Sequence, residues 1–367
     1  MKITIGKEEL VHGLQAVQNV VGTRSTLPVL ANVLLSASGK RLELRATDLD
    51  VSVECAVAAN VESEGSTSLS AKRLFGLVRE IENSEIELDV SKKELCSVIA
   101  GASKYKLHGI PAEEFPPLPK FKESGQATVP QGKFREMLRK TAYAISTDES
   151  RYVLNGLYMK LDGHNLSFVA TDGRRLALVE EEMEGEGAKA EFIVPAKAVG
   201  ELTRLLGNEG EVSIRMSDTQ VEFTLTQEGG EPIKVYSKLV EGKYPDYKQV
   251  IPKDTEQRVT LVREELLHAL RRADQVTSDK ANSVNLKFAD NNLTINANSP
   301  DVGEGRESLA INYNGPEIEV AFNPGFLMDP LKVLESDEVY IELKDKLSAG
   351  ILKSNTPFLY VLMPMRT

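Results

Sequence analysis

Any acid–base or nucleophilic chemistry in this chain would have to come from four histidines, two cysteines and a repeated aspartate, and none is arranged for it. His12, His108, His164 and His268 are scattered and show none of the metal-ligand spacings. Each fits a satisfied or solvent-facing side chain. Cys55 and Cys96 sit inside apolar alternating runs and read as buried thiols. The doublet Gly303-Glu304-Gly305-Arg306 lacks a third glycine and a strand-to-helix context, so no nucleotide loop is expected there. No Walker loop and no Gly-x-Ser-x-Gly occurs. Asp48 and Asp172 occupy matching strings, which points to a turn role rather than an acid–base couple. The reading is a protein that recognises rather than reacts: no enzyme, no metal and no cofactor.

The elements that would carry recognition repeat along the chain, and repeats fix architecture before motifs do. Lys7-Glu8-Glu9-Leu10 opens a helix with Leu10, Leu14 and Val17 on one face, and Gln131-Gly132-Lys133-Phe134 opens another with Phe134, Leu138 and Ile145. Arg263-Glu264-Glu265-Leu266 opens a third. Leu42 to Asp48 reads LELRATD and Leu166 to Asp172 reads LSFVATD, at the same offset of 124 that separates Leu10 from Phe134. A half-period repeat lies inside each unit, with helices beginning at Ala71, Ala196 and Pro324 after short alternating strands. Turns Glu114-Phe115-Pro116 and Lys243-Tyr244-Pro245 close the first two units.

The chain therefore reads as α+β: six β-α-β-β-β copies paired into three tandem duplicated domains, residues 1–121, 122–253 and 254–367, with linkers near Lys120–Gln126 and Pro252–Gln257. One amphipathic helix per copy covers one face of an antiparallel sheet.

Composition narrows the function. The chain has 367 residues, is 41% hydrophobic and 27% charged, and carries a formal net charge of −11. That charge argues against tight nucleic-acid binding by bulk attraction. Trp is absent and aromatics are few, which disfavours a single-strand binder built on stacking. The six helical segments nevertheless sum to +4, led by +3 over residues 131–144, leaving −15 for the remainder. A mildly basic helical face against an acidic body suits sitting near duplex phosphates without gripping them. MKITIGKEEL lacks the apolar core of a signal peptide, and no run approaches the ~20 apolar residues of a membrane span, so a cytoplasmic protein is expected.

The repeats come with more specific strings: Arg24 with Thr26-Leu27-Pro28, Arg151-Tyr152-Val153-Leu154-Asn155-Gly156, Thr171-Asp172-Gly173-Arg174-Arg175-Leu176-Ala177, Tyr244-Pro245-Asp246-Tyr247 and Val361-Leu362-Met363-Pro364-Met365-Arg366. In this order and spacing, from Met1 to Thr367, the chain resembles the bacterial sliding-clamp family, the beta subunit of DNA polymerase III.

The resemblance implies a DNA clamp fold and a ring-forming head-to-tail homodimer that encircles double-stranded DNA without sequence preference. It also implies a non-catalytic processivity factor. A pocket for short peptide motifs of the polymerase catalytic subunit, the clamp loader and repair proteins is implied at Arg151, Leu154, Thr171, Gly173, Arg174, Arg175, Leu176, Pro245, Val250, Leu347, Val361, Met363, Pro364, Met365 and Arg366. Apolar and methionine side chains there would adapt to varied partners. DNA contact is implied at Arg24, Lys72, Arg73, Lys133, Arg139, Tyr152 and Lys197. The dimer interface is implied at Lys104, Tyr105 and Leu107 in domain one and Gln275, Val276 and Asp301 in domain three. Two alternatives stay open: a clamp-fold paralogue without a replication role, and a monomeric interaction scaffold.

Overall fold

A computed structural model describes residues 1–22, 27–82, 84–91, 93–118, 125–183, 189–278 and 282–365. Arg24, Arg366 and most of the expected first linker lie outside the described residues.

Among the described residues the order strand, helix, three strands recurs six times. The helices are α1 (Lys7–Val17), α2 (Ala71–Glu80), α3 (Gln131–Thr141), α4 (Ala196–Leu205), α5 (Arg263–Asp274) and α6 (Pro324–Val333). Their periodicity decides what they bury: α1 turns Leu10, Leu14 and Val17 inward, and α5 turns Leu266, Leu267 and Leu270 inward. Fully burying each such side chain stabilises by about 1.5–3 kcal/mol relative to exposure. α6 starts at Pro324, where a missing N–H costs nothing, and Asn323 caps it by accepting from the Phe326 N–H at 3.1 Å. The strands alternate as their sequences do; Lys2–Gly6 runs half-buried, buried, half-buried along its length. A short strand absent from the repeat pattern, Asn60–Ser63, pairs with Lys2–Gly6.

The chain forms two compact units, Met1–Arg135 with Lys197–Leu239, and Glu136–Ala196 with Val240–Thr367. The sheets explain why these units cut across the repeats. In the first unit an eight-stranded sheet joins four strands of the first repeat (Asn32–Ser38, Arg41–Thr47, Val51–Ala58, Gly65–Ser70) to four of the second (Gly125–Pro130, Glu211–Met216, Gln220–Leu225, Ile233–Lys238). The seam is antiparallel, with Val235 opposite Val53. The second unit does the same with strands of the second and third repeats, and its seam sets Leu178 of Arg175–Glu182 opposite Leu359 of Phe358–Leu362. The first unit also holds a five-stranded sheet ending at Ser103–His108, and the second a four-stranded sheet ending at Gly303–Ala310.

Candidate functional site

The Thr171–Arg175 loop is built from short-range hydrogen bonds. Thr171 Oγ1 donates to the Arg175 carbonyl at 2.6 Å and accepts from the Gly173 N–H at 3.1 Å. Asp172 Oδ1 accepts from the N–H groups of Arg174 at 2.9 Å and Arg175 at 3.1 Å, so the aspartate holds a turn, as its repeat suggested. Gly173 sits at φ 84°, and a Cβ there would lie 2.6 Å from Arg151 Nη1. That same nitrogen donates to the Asp172 carbonyl at 3.3 Å. The loop is thereby fixed beside Arg151, with Arg174 exposed.

Arg175 points the other way. Its guanidinium reaches Asp172 Oδ2 (3.1 Å), Asp329 Oδ2 (2.5 Å) and the Tyr143 carbonyl (2.6 Å), and lies 4.3 Å from the centroid of Phe326. With its side chain 10% exposed, it is occupied internally and supports the loop from beneath.

The apolar floor is one cluster in which Leu154, Leu176 and Val361 pack with Val169, Leu178, Ile193, Tyr244 and Tyr247. Tyr158 stacks on Tyr244 at 4.9 Å. Burial pushes the phenols of Tyr244 and Tyr247 above their usual range. Around this floor large apolar side chains remain open to solvent: Leu347 is 71% exposed, Val250 51%, Met363 45% and Met365 39%. Each is held by its backbone. Asp345 Oδ1 accepts from the N–H groups of Leu347 and Ser348, at 2.8 and 2.7 Å. These bonds, with one from the Ser348 hydroxyl, hold the Asp345 carboxyl below the usual range. The Met363 N–H donates to the Arg174 carbonyl at 2.9 Å and the Met365 N–H to the Ala321 carbonyl at 2.8 Å. Pro364 between them has no N–H to satisfy. Val250 ends a 3-10 turn, Tyr247–Val250, capped by Asp246, and Pro245 is exposed just before it.

The structure thus gathers Arg151, Leu154, Thr171, Gly173, Arg174, Leu176, Val361 and Met363 around one floor and its loop, while Arg175 serves from inside. Sequence reasoning missed the buried tyrosines as floor and Asp329, Phe326 and Tyr143 as the partners of Arg175. The signal for the first was present in the Tyr-Pro-Asp-Tyr string. The second set is distant in sequence and left none.

The expected DNA-contact residues lie on several elements. Lys72 and Arg73 are exposed on α2, and Tyr152 is exposed. Lys133 is partly buried on α3, and Arg139 lies 3.6 Å from Glu335. Lys197 is occupied: it donates to the Val20 carbonyl at 2.8 Å and pairs with Asp48. Among the expected interface residues, Lys104 and Tyr105 are exposed and Leu107 half-buried on the edge strand Ser103–His108. Gln275 follows α5, and Asp301 precedes the edge strand Gly303–Ala310. A Cβ on Gly305 of that strand would lie 2.9 Å from Val276, so the edge is thinned where Val276 reaches it. Among the described residues no cluster of three or more His, Cys, Asp or Glu could hold a metal ion.

Three family models match the chain in order. They describe the N-terminal, central and C-terminal domains of the DNA polymerase III beta subunit and cover residues 1–119, 128–246 and 248–366. The beta sliding clamp of Chlamydia muridarum is 34% identical over all of this chain and 99% of its own length; that of Pseudomonas putida is 35% identical over the whole of both. Among solved structures, the sliding clamp of Bartonella birtlesii bound to griselimycin superposes with a TM-score of 0.94 at 33% identity over the whole of both chains. The Bacillus subtilis clamp gives 0.94 at 28%, covering all of this chain and 99% of its own. The chain belongs to the family of bacterial DNA polymerase III beta subunits, the sliding clamps.

Proposed function

We propose that this protein is a DNA sliding clamp: a non-catalytic processivity factor that closes as a head-to-tail homodimer around duplex DNA. It tethers the polymerase catalytic subunit, clamp loader and repair proteins by their short peptide motifs. Three domains, residues 1–121, 122–253 and 254–367, supply its repeats. Its work is in the cytoplasm; no helix among the described residues is long and apolar enough to cross a membrane.

The observation that carries this reading is an arithmetic of strands. Each eight-stranded sheet is four strands of one repeat joined to four of the next. The first repeat has four further strands ending at the edge Ser103–His108 (with the short Asn60–Ser63 beyond them), and the third has four ending at Gly303–Ala310. These are two halves of a third seam, which a second copy completes twice over in closing a ring. Open edges of this length invite uncontrolled pairing, and closure removes them. The peptide motif docks on the floor of Leu154, Leu176 and Val361, between the Thr171–Arg175 loop and the Met363–Met365 segment. Sliding without gripping suits a mildly basic set of helices on an acidic body.

The test is fluorescence-polarisation binding of a Gln-x-x-Leu-Phe peptide to the intact protein and to one lacking residues 363–367. Micromolar binding that the deletion abolishes, with the circular dichroism spectrum retained, is the expected result. Failure of the intact protein to bind would overturn the pocket.

A further inference from the structure

The first unit contains a second copy of the loop that frames the peptide site. Thr47 Oγ1 donates to the Val51 carbonyl at 3.2 Å and accepts from the Leu49 N–H at 3.0 Å. Asp48 Oδ1 accepts from the N–H groups of Asp50 at 3.0 Å and Val51 at 2.7 Å. Every bond matches one in Thr171–Arg175. The strand partner matches too: the Lys238 N–H donates to the Asp50 carbonyl at 2.9 Å, as Met363 does to Arg174. Val29, Leu30 and Phe115 form the small apolar cluster in this half.

Two features set the copy apart. Where the first loop has glycine at φ 84°, this one has Leu49 at φ 81°, a conformation that L side chains rarely adopt, and its side chain is 46% exposed. Leu49 lines a cleft of about 110 Å³ together with Asp50, Pro116, Pro117, Tyr236 and Lys238. The charge beside the cleft also differs. Arg174 and Arg151 flank the first site, whereas here Asp50 takes the position of Arg174. Glu113 and Glu114 stand exposed on the turn leading to Pro116. Lys238 offsets Asp50 at 2.9 Å, and neither Glu113 nor Glu114 forms an ion pair among the described residues.

We infer that this cleft is a second docking site, for an extended peptide that places one aliphatic side chain between Leu49, Pro117 and Tyr236 and flanks it with lysine or arginine. The inference rests on reading the first site as a peptide pocket, because the shared loop and strand partner supply the analogy. The small volume admits one side chain, not the pair of anchors that the open rim of Leu347, Val250 and Met363 accommodates. Strain held at an exposed leucine, walled by two prolines and a tyrosine, is the mark of a position kept for contact. With Asp50 paired to Lys238, the exposed Glu113 and Glu114 beside Pro116 set the sign of the partner.

The probes are the peptides Ac-Gly-Lys-Leu-Lys-Gly-amide and Ac-Gly-Glu-Leu-Glu-Gly-amide, titrated into full-length protein with ¹³C-labelled leucine and methionine methyls. The lysine peptide is expected to shift the Leu49 methyls saturably, with a Kd about fivefold below that of the glutamate peptide, as one favourable charge pair gives. The shifts should survive deletion of residues 363–367, and Asp50→Arg with Glu114→Lys should reverse the preference. No shift at Leu49, equal response to both peptides, or loss of response on that deletion would each overturn the proposal. The Met363 methyl, titrated with the Gln-x-x-Leu-Phe peptide, reports the first site separately, so the two readings fail independently.

Discussion

Arg175 Nη1 lies 2.5 Å from Asp329 Oδ2, binding the strand that leaves the Thr171 loop to helix α6, 154 positions further along the chain. The same guanidinium caps the Tyr143 carbonyl and stacks on Phe326. One side chain therefore ties the loop, the turn that follows α3 and α6 together.

Removing it leaves the Tyr143 carbonyl without this donor and Asp329 with Lys332 alone, in a half-buried site. Arg175→Met is expected to cost about 2 kcal/mol, the scale of losing hydrogen bonds to a charged group in a half-buried site. A urea midpoint at unchanged m-value would measure it. A double-mutant cycle with Asp329→Asn should return a coupling above about 1 kcal/mol. Simple additivity would show that the pair does not act as a unit.

Leu49 and Gly173 make opposite predictions at one backbone geometry. Gly173→Ala should destabilise by about 1 kcal/mol through the unfavourable φ and crowd Arg151, weakening peptide binding as well. Leu49→Gly should relieve strain and stabilise by up to about 1 kcal/mol. Thermal midpoints moving in the same direction for both variants would contradict this.

Asp48 gives a pH signature. Burial works against its ionisation, yet the hydrogen bonds from Lys197 and from the Val51 and Asp50 N–H groups prevail and hold its carboxyl below the usual range. The native state then binds fewer protons than the unfolded state between the two pKa values. Stability from this group is complete above the unfolded value of 3.8 and is lost as pH falls through the lower folded one. Asp48→Asn should flatten the stability–pH profile below about pH 4 relative to the parent. Parallel profiles would show that the group is not linked to folding.

The proposed seam between copies is tested at Gly305. Replacing it by valine sets a Cβ 2.9 Å from Val276 and pushes apart the edge strand and the end of α5. Native mass is expected near twice 40.3 kDa for the parent and at 40.3 kDa for Gly305→Val with its circular dichroism retained. An unchanged dimer would place the interface elsewhere.

The sixfold element order was legible because apolar spacing encodes which face of each helix and strand turns inward, and because a duplicated LxxxATD string carries its own period. The seams were not legible: alternation in Ile233–Lys238 says that two faces exist, not that Val53 is the neighbour. The partners of Arg175 were not legible for a related reason: nothing near it in sequence announces them, and only the fold brings Tyr143, Phe326 and Asp329 around it. Lys197 is similar, since Asp48 lies in another repeat. The Thr171 loop and the Met363–Met365 segment were found by string and spacing, and their apolar floor only in part.

Both seams have a cost in time. Val53 meets Val235 and Leu178 meets Leu359, each roughly 180 residues later. At ribosomal rates of about 5–20 residues per second, the strand Val51–Ala58 waits roughly 10–40 s for its neighbour to be made. During that wait its edge stands open beside other nascent chains carrying the same edge. Each repeat is completed by the next, so the protein matures in a staggered order along the message, and in the proposed ring the last pairing waits for a second polypeptide.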